Sequence, residues 1–108
     1  MLVPDAASVQ REKLPAYAPV ADQAEQLEEI RSYLEKKENP VTEIPLYEML
    51  REHREESLYY RTDHHWTSYG AYLGYTALSK PLGFKAATSD MFNIEHVSHD
   101  FLGTLYSK

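Results

Sequence analysis

The sequence contains no cysteine. Disulfides and thiolate metal centres are therefore excluded, although the compartment stays open. No apolar run approaches the ~20 residues of a membrane-spanning helix, and no signal-peptide pattern opens the chain. Positive charge is in short supply: 11 Lys and Arg stand against 17 Asp and Glu, a formal charge of −6. Such a chain gains little from a phosphate backbone, which argues against a nucleic-acid partner. The acids gather between Glu25 and Glu56, as expected of solvated helix faces. Internal repeats and low-complexity segments are missing too. What remains is ordinary for a globular protein. Hydrophobic residues make up 43% and charged residues 26% of 108 residues, enough for one small domain spanning 1–108.

Met1-Leu2-Val3 reads as the tail of a buried strand stopped by Pro4. A chain that starts inside a strand is expected to be a piece of something longer. Residues 5–13 read as a loop or short helix, and Pro15 and Pro19 punctuate a connector. The first clear helix begins at Asp22, an N-cap with Glu25 at capping-box spacing. Ala24, Leu27, Ile30 and Leu34 recur along one face, and Asn39-Pro40 stops it. Val41-Thr42-Glu43-Ile44 alternates like a short strand. Pro45 opens a second helix with Leu46, Met49, Leu50 and His53 on one face; His53 reads as a rim histidine. Leu58-Tyr59-Tyr60-Arg61 reads as another strand. Thr67 caps a third helix that carries Ala71, Tyr72, Tyr75, Leu78 and Leu82 and ends at Gly83. Asn93-Ile94-Glu95-His96-Val97 is one more potential strand. Alternating strands and helices predict an α/β fold with a mostly parallel sheet and right-handed crossovers.

The chemistry concentrates in "YYRTDHHWTSYGAY", residues 59–72. On this reading Asp63, His64, His65 and Trp66 lie between a strand's carboxyl end and a helix start, where α/β proteins place their sites. A carboxylate two residues before a histidine can hold one ring nitrogen and stabilise the imidazolium when the other takes a proton. Asp63 and His65 are expected to project to one side, with His64 on the other. The candidate base is then His65, oriented by Asp63, with Trp66 walling the site against water. The plain alternative is an Asp that caps a helix and a His that packs. A metal site built from His64, His65, His96 and His99 with Asp63 or Asp100 is the competing chemistry. Adjacent histidine side chains diverge, and the His96–His99 stretch is irregular, so no metal is expected.

"YYRTDHHWTSYGAY" together with "FLGTLYSK", and the opening "MLVPDAASVQREKLPAYAPVADQ", resembles the DHHW protein family of Gram-positive bacteria. The resemblance covers essentially all of the chain. That family is similar to the SGNH-hydrolase-like proteins that O-acetylate alginate and other exopolysaccharides, whose D-x-H-W motif supplies the Asp and His of a Ser-His-Asp triad. Carried over, the motif falls on Asp63, His65 and Trp66, and His64 takes the variable position. The resemblance implies a partial three-layer, flavodoxin-like SGNH domain truncated at both ends, and an extracytoplasmic location. In those relatives the serine follows the motif in a G-D-S-like segment. None of Ser8, Ser32, Ser57, Ser68, Ser79, Ser89, Ser98 and Ser107 has such a setting, so the nucleophile is expected to be absent from these residues.

Three functions follow. The first is part of an esterase or O-acetyltransferase acting on cell-surface polysaccharide, with Asp63 and His65 catalytic, an acyl donor the sequence does not name, and no cofactor. The second is a glycan-binding module in which the nine tyrosines and Trp66 offer a platform for sugar rings and Asp63 and His65 are recognition groups, with Trp66, His64 and Tyr60 as the candidate binding residues. The third is a structural piece of an export assembly. A truncated sheet would also leave an edge through which copies could associate.

Overall fold

The computed structural model describes residues 1–106. Its elements are α1 (Ala6–Val9), α2 (Gln23–Glu35), α3 (Leu46–Glu52) and α4 (Ser68–Leu82), with 3-10 turns at Arg11–Lys13 and Ser89–Met91. The three long helices start where their caps predict. Asp22 accepts from the amides of Ala24 and Glu25, Pro45 precedes α3, and Thr67 accepts from Gly70 N–H. Gly83 ends α4 at φ 70°, a left-handed conformation that glycine adopts without penalty.

The expected α/β architecture is absent. Among the described residues there is no strand longer than an isolated antiparallel bridge between Tyr59 and Trp66. The predicted strands at residues 1–3, 41–44, 58–61 and 93–97 do not form, and with them go the parallel sheet, its crossovers and the exposed edge proposed for self-association. The reason is pairing. Residues 41–44 are bracketed by Pro40 and Pro45 and find no partner strand to share a hydrogen-bond ladder. Residues 58–60 spend their backbone groups on the chain reversal that follows them instead.

The core is small. Val9 from α1, Leu46 and Leu50 from α3, Leu58 and Tyr59 before the reversal, and Leu73 from α4 are its buried hydrophobic residues. Ala6, Tyr47, Met49, Trp66, Tyr69, Tyr72 and Ala77 pack around them. The core thus sits where α1, α3 and α4 meet. Tyr59 Oη–H donates to Pro4 O at 2.8 Å, tying the amino-terminal segment to the base of the reversal. Burial pushes the Tyr59 phenol up, so it stays a neutral donor. By contrast α2 buries none of its residues, and its expected apolar face is not part of the core.

Candidate active site

The site is a tight reversal between the core and α4. Tyr60 N–H donates to His65 O at 3.2 Å, and Thr67 N–H donates to Leu58 O at 2.8 Å. Residues 61–65 form the turn between these two bonds. Its far side is anchored twice by Thr67, whose hydroxyl donates to Ser57 O at 2.6 Å and accepts from Gly70 N–H at 3.2 Å. Close packing on α4 fixes the rest. A Cβ at Gly70 would meet Leu58 O and Trp66 Cβ, and one at Gly74 would meet the indole ring of Trp66.

Asp63 stands at the centre and is buried. Its Oδ1 accepts from His65 N–H at 2.9 Å and from His65 Nδ1. Its Oδ2 accepts from Thr104 N–H at 2.8 Å and from Thr104 Oγ1–H at 3.0 Å. Four donors saturate a carboxylate's lone pairs. The Thr104 and His65 backbone amides, against the opposing effect of burial, hold the Asp63 carboxyl far below the usual carboxylate range; the two side chains add to this. An ionised carboxylate only accepts hydrogen bonds. His65 Nδ1 therefore carries a proton, and in the neutral ring Nε2 is the free acceptor. The His65 side chain is 64% exposed, against 6% for Asp63, so a ring oriented from within the protein faces solvent. That is the geometry of an oriented general base.

His64 departs from the sequence expectation. Instead of turning away, its ring lies over that of His65 at 3.9 Å between centroids and a 37° tilt. Its Nδ1 lies 2.9 Å from Thr104 Oγ1. Asp63, His64 and His65 form a group whose ligand atoms lie within 4.8 Å of one another, so the premise that adjacent imidazoles diverge fails here. The donor set still suits protons better than a metal, because all four Asp63 acceptor positions are already filled by protein donors. His96 and His99 stack on each other at 6.2 Å in an exposed segment and do not join this group. His53 lies at the end of α3, its Nδ1 2.7 Å from Glu56 Oε1 and 3.3 Å from Tyr69 Oη, in keeping with a rim position.

Trp66 packs on Gly74 and against the core, which makes it a buttress of the turn. Tyr60 is partly exposed and tilts against Phe101 with ring centroids 4.7 Å apart. Among the described residues no serine hydroxyl hydrogen-bonds to His65; Ser107 lies outside them.

A family model described as DHHW protein matches residues 1–108. The chain belongs to the DHHW protein family. None of the curated proteins or solved structures compared with it gives a significant match. In this DHHW protein the four residues Asp63, His64, His65 and Trp66 spell the family's letters. They divide into a buried acceptor, two exposed imidazoles and a packed indole. Sequence reasoning missed Gly103 and Thr104. "FLGT" stood out as a shared motif, but no local pattern ties it to a carboxylate 41 positions upstream.

Proposed function

We propose that Asp63 and His65 are the Asp-His part of a Ser-His-Asp acyl-transfer site acting on cell-surface polysaccharide. The observation that carries this is the buried, ionised Asp63 bonded to His65 Nδ1, with the far side of the ring open to solvent. Membership of the DHHW family supports it through the family's likeness to polysaccharide O-acetylation proteins. The acid/base part of the reading rests on the pair's geometry and needs no particular sheet architecture.

The serine comes from outside the described residues that surround His65. His65 Nε2 takes the serine hydroxyl proton as the serine oxygen bonds to the acyl carbon. The same proton passes to the leaving oxygen as the ester bond breaks. Water or a sugar hydroxyl then attacks the acyl-serine, giving its proton to His65, and the serine recovers it on leaving. Asp63 keeps the imidazole in one tautomer and stabilises the imidazolium throughout. The proposal includes an extracytoplasmic location, since its substrate is there.

The test is acetyl-ester turnover by the full-length protein. His65→Ala is expected to lower kcat by roughly 10²–10⁴-fold. Unchanged turnover in that variant removes the assignment. A second reading, a glycan-binding module, is favoured by the exposed Tyr60–Phe101 ring pair beside the turn, since such rings stack on sugars. Polysaccharide binding that survives His65→Ala but not Tyr60→Ala would favour it over catalysis.

A further inference from the structure

The geometry points to Gly103-Thr104 as the positioning element of the site, with the Thr104 hydroxyl fixing Asp63 and His64 together; this rests on the acid/base reading of Asp63 and His65 given above. Thr104 reaches Asp63 across 41 positions of sequence and approaches it twice, through its amide and its hydroxyl. Without those bonds, only Oδ1 is held, by the two donors of His65 in a local turn. The carboxylate would then be free to rotate about its own axis, and the imidazole with it. Binding Oδ2 as well removes that freedom.

Three more hydrogen bonds set the register of this strap. Gly103 N–H donates to Thr62 Oγ1 at 3.1 Å, Leu105 N–H donates to Thr62 O at 2.9 Å, and Thr62 Oγ1–H donates to Phe101 O at 3.2 Å. Gly103 is required by space. A Cβ there would overlap Asp63 Cβ, Asp63 Oδ2 and Thr62 O, so a larger residue pushes the strap off the carboxylate.

The hydroxyl of Thr104 has one proton, and it goes to Asp63 Oδ2. Toward His64 Nδ1, 2.9 Å away, the same oxygen must therefore accept. His64 Nδ1 then carries a proton, like His65 Nδ1, so in the neutral form of each stacked ring Nε2 is the free acceptor. This gives His64 a role the sequence left unassigned: a second hydrogen-bond acceptor beside the base. Serine at 104 can make both bonds and valine neither.

The experiment compares Thr104→Val, Thr104→Ser and Gly103→Ala in the full-length protein by NMR and by ester turnover. The Asp63 carboxyl carbon is followed through an acid titration, and the ring nitrogens of His64 report its tautomer. Thr104→Val is expected to move the Asp63 midpoint upward and to mix the His64 tautomers. It should lower kcat about tenfold with KM unchanged, the scale of losing a residue that orients a catalytic group. Thr104→Ser should restore all three readouts. Gly103→Ala should shift Asp63 further, because the amide leaves with the hydroxyl; where that variant does not fold, the Thr104 pair decides alone. A Thr104→Val protein with the wild-type Asp63 midpoint and His64 tautomer overturns the inference, even if His65→Ala abolishes turnover. Conversely, shifted titrations in Thr104→Val beside full turnover in His65→Ala keep the positioning role and reject the catalytic reading.

Discussion

Residues 46–82 and residues 84–106 are both rich in large apolar side chains, yet they use them in opposite ways. The first stretch supplies Leu46, Leu50, Leu58, Tyr59 and Leu73 to the core. The second buries none. Phe84, Met91, Phe92, Ile94, Val97, Phe101, Leu102, Leu105 and Tyr106 are all exposed. The difference is periodicity. Leu46 and Leu50, and Tyr69 and Leu73, fall four apart on helices, so each pair shares a face. The tail has only one 3-10 turn and no repeating face to bury. It is held where polar groups grip it, chiefly at Thr62 and Asp63. Apolar content alone does not make a core; the side chains must share a face, and another element must cover it. The cost shows in overall dimensions. The Cα radius of gyration is 15.9 Å, against about 13 Å for a compact chain of this length.

The contrast can be broken most forcefully in the packed half. Leu50→Ala should cost about 2–5 kcal/mol of stability, measured by denaturant unfolding. A loss near zero would mean that the α3–α4 core is not the stabilising centre. The next largest effect concerns the grip itself. Asp63→Asn replaces an acceptor of four bonds and should lower hydrogen-exchange protection of the Gly103, Thr104 and Leu105 amides by roughly tenfold or more, while the α4 amides keep theirs. Equal loss in both regions would erase the distinction between tail and core.

A smaller effect is pH-dependent. Arg51, hydrogen-bonded to Glu12, lowers the Glu12 carboxyl from 4.5 to about 2. A carboxylate with a depressed folded-state value stabilises above its unfolded value and loses that contribution as pH falls through the folded one. The melting temperature should therefore drop between about pH 5 and pH 2, and Glu12→Gln should remove the Glu12 share of that slope while the Asp63 share stays. The pair is exposed, so the change should be modest. The smallest effect belongs to the open half: Ile94→Ser should change stability by less than about 0.5 kcal/mol in the same unfolding assay. A large loss there would mean the tail is packed in solution.

The local rules of the sequence survived folding better than the long-range ones. Asp22, Thr67 and Gly83 marked helix ends because capping acts within a few residues. The Asp63–His65 bond was legible for the same reason, since a carboxylate two residues ahead can reach both the amide and the ring. Strands failed because a β-branched run forms one only if a partner arrives alongside, and nothing in Val41-Thr42-Glu43-Ile44 says whether it will. The face of α2 failed because periodicity shows that Ala24, Leu27, Ile30 and Leu34 align, not that a surface waits to cover them. Thr104 was invisible because its partner is fixed by the tertiary path of the tail.

Trp66 is the sole indole of the chain, next in sequence to His65 and resting on the backbone of α4 at Gly74. Its emission therefore has a single origin and comes from the reversal itself. Ligand arrival, proton uptake by the neighbouring ring, or lifting of the tail should each register as a change in intrinsic fluorescence. The molecule carries its own optical probe, and no label need be attached to watch the site at work.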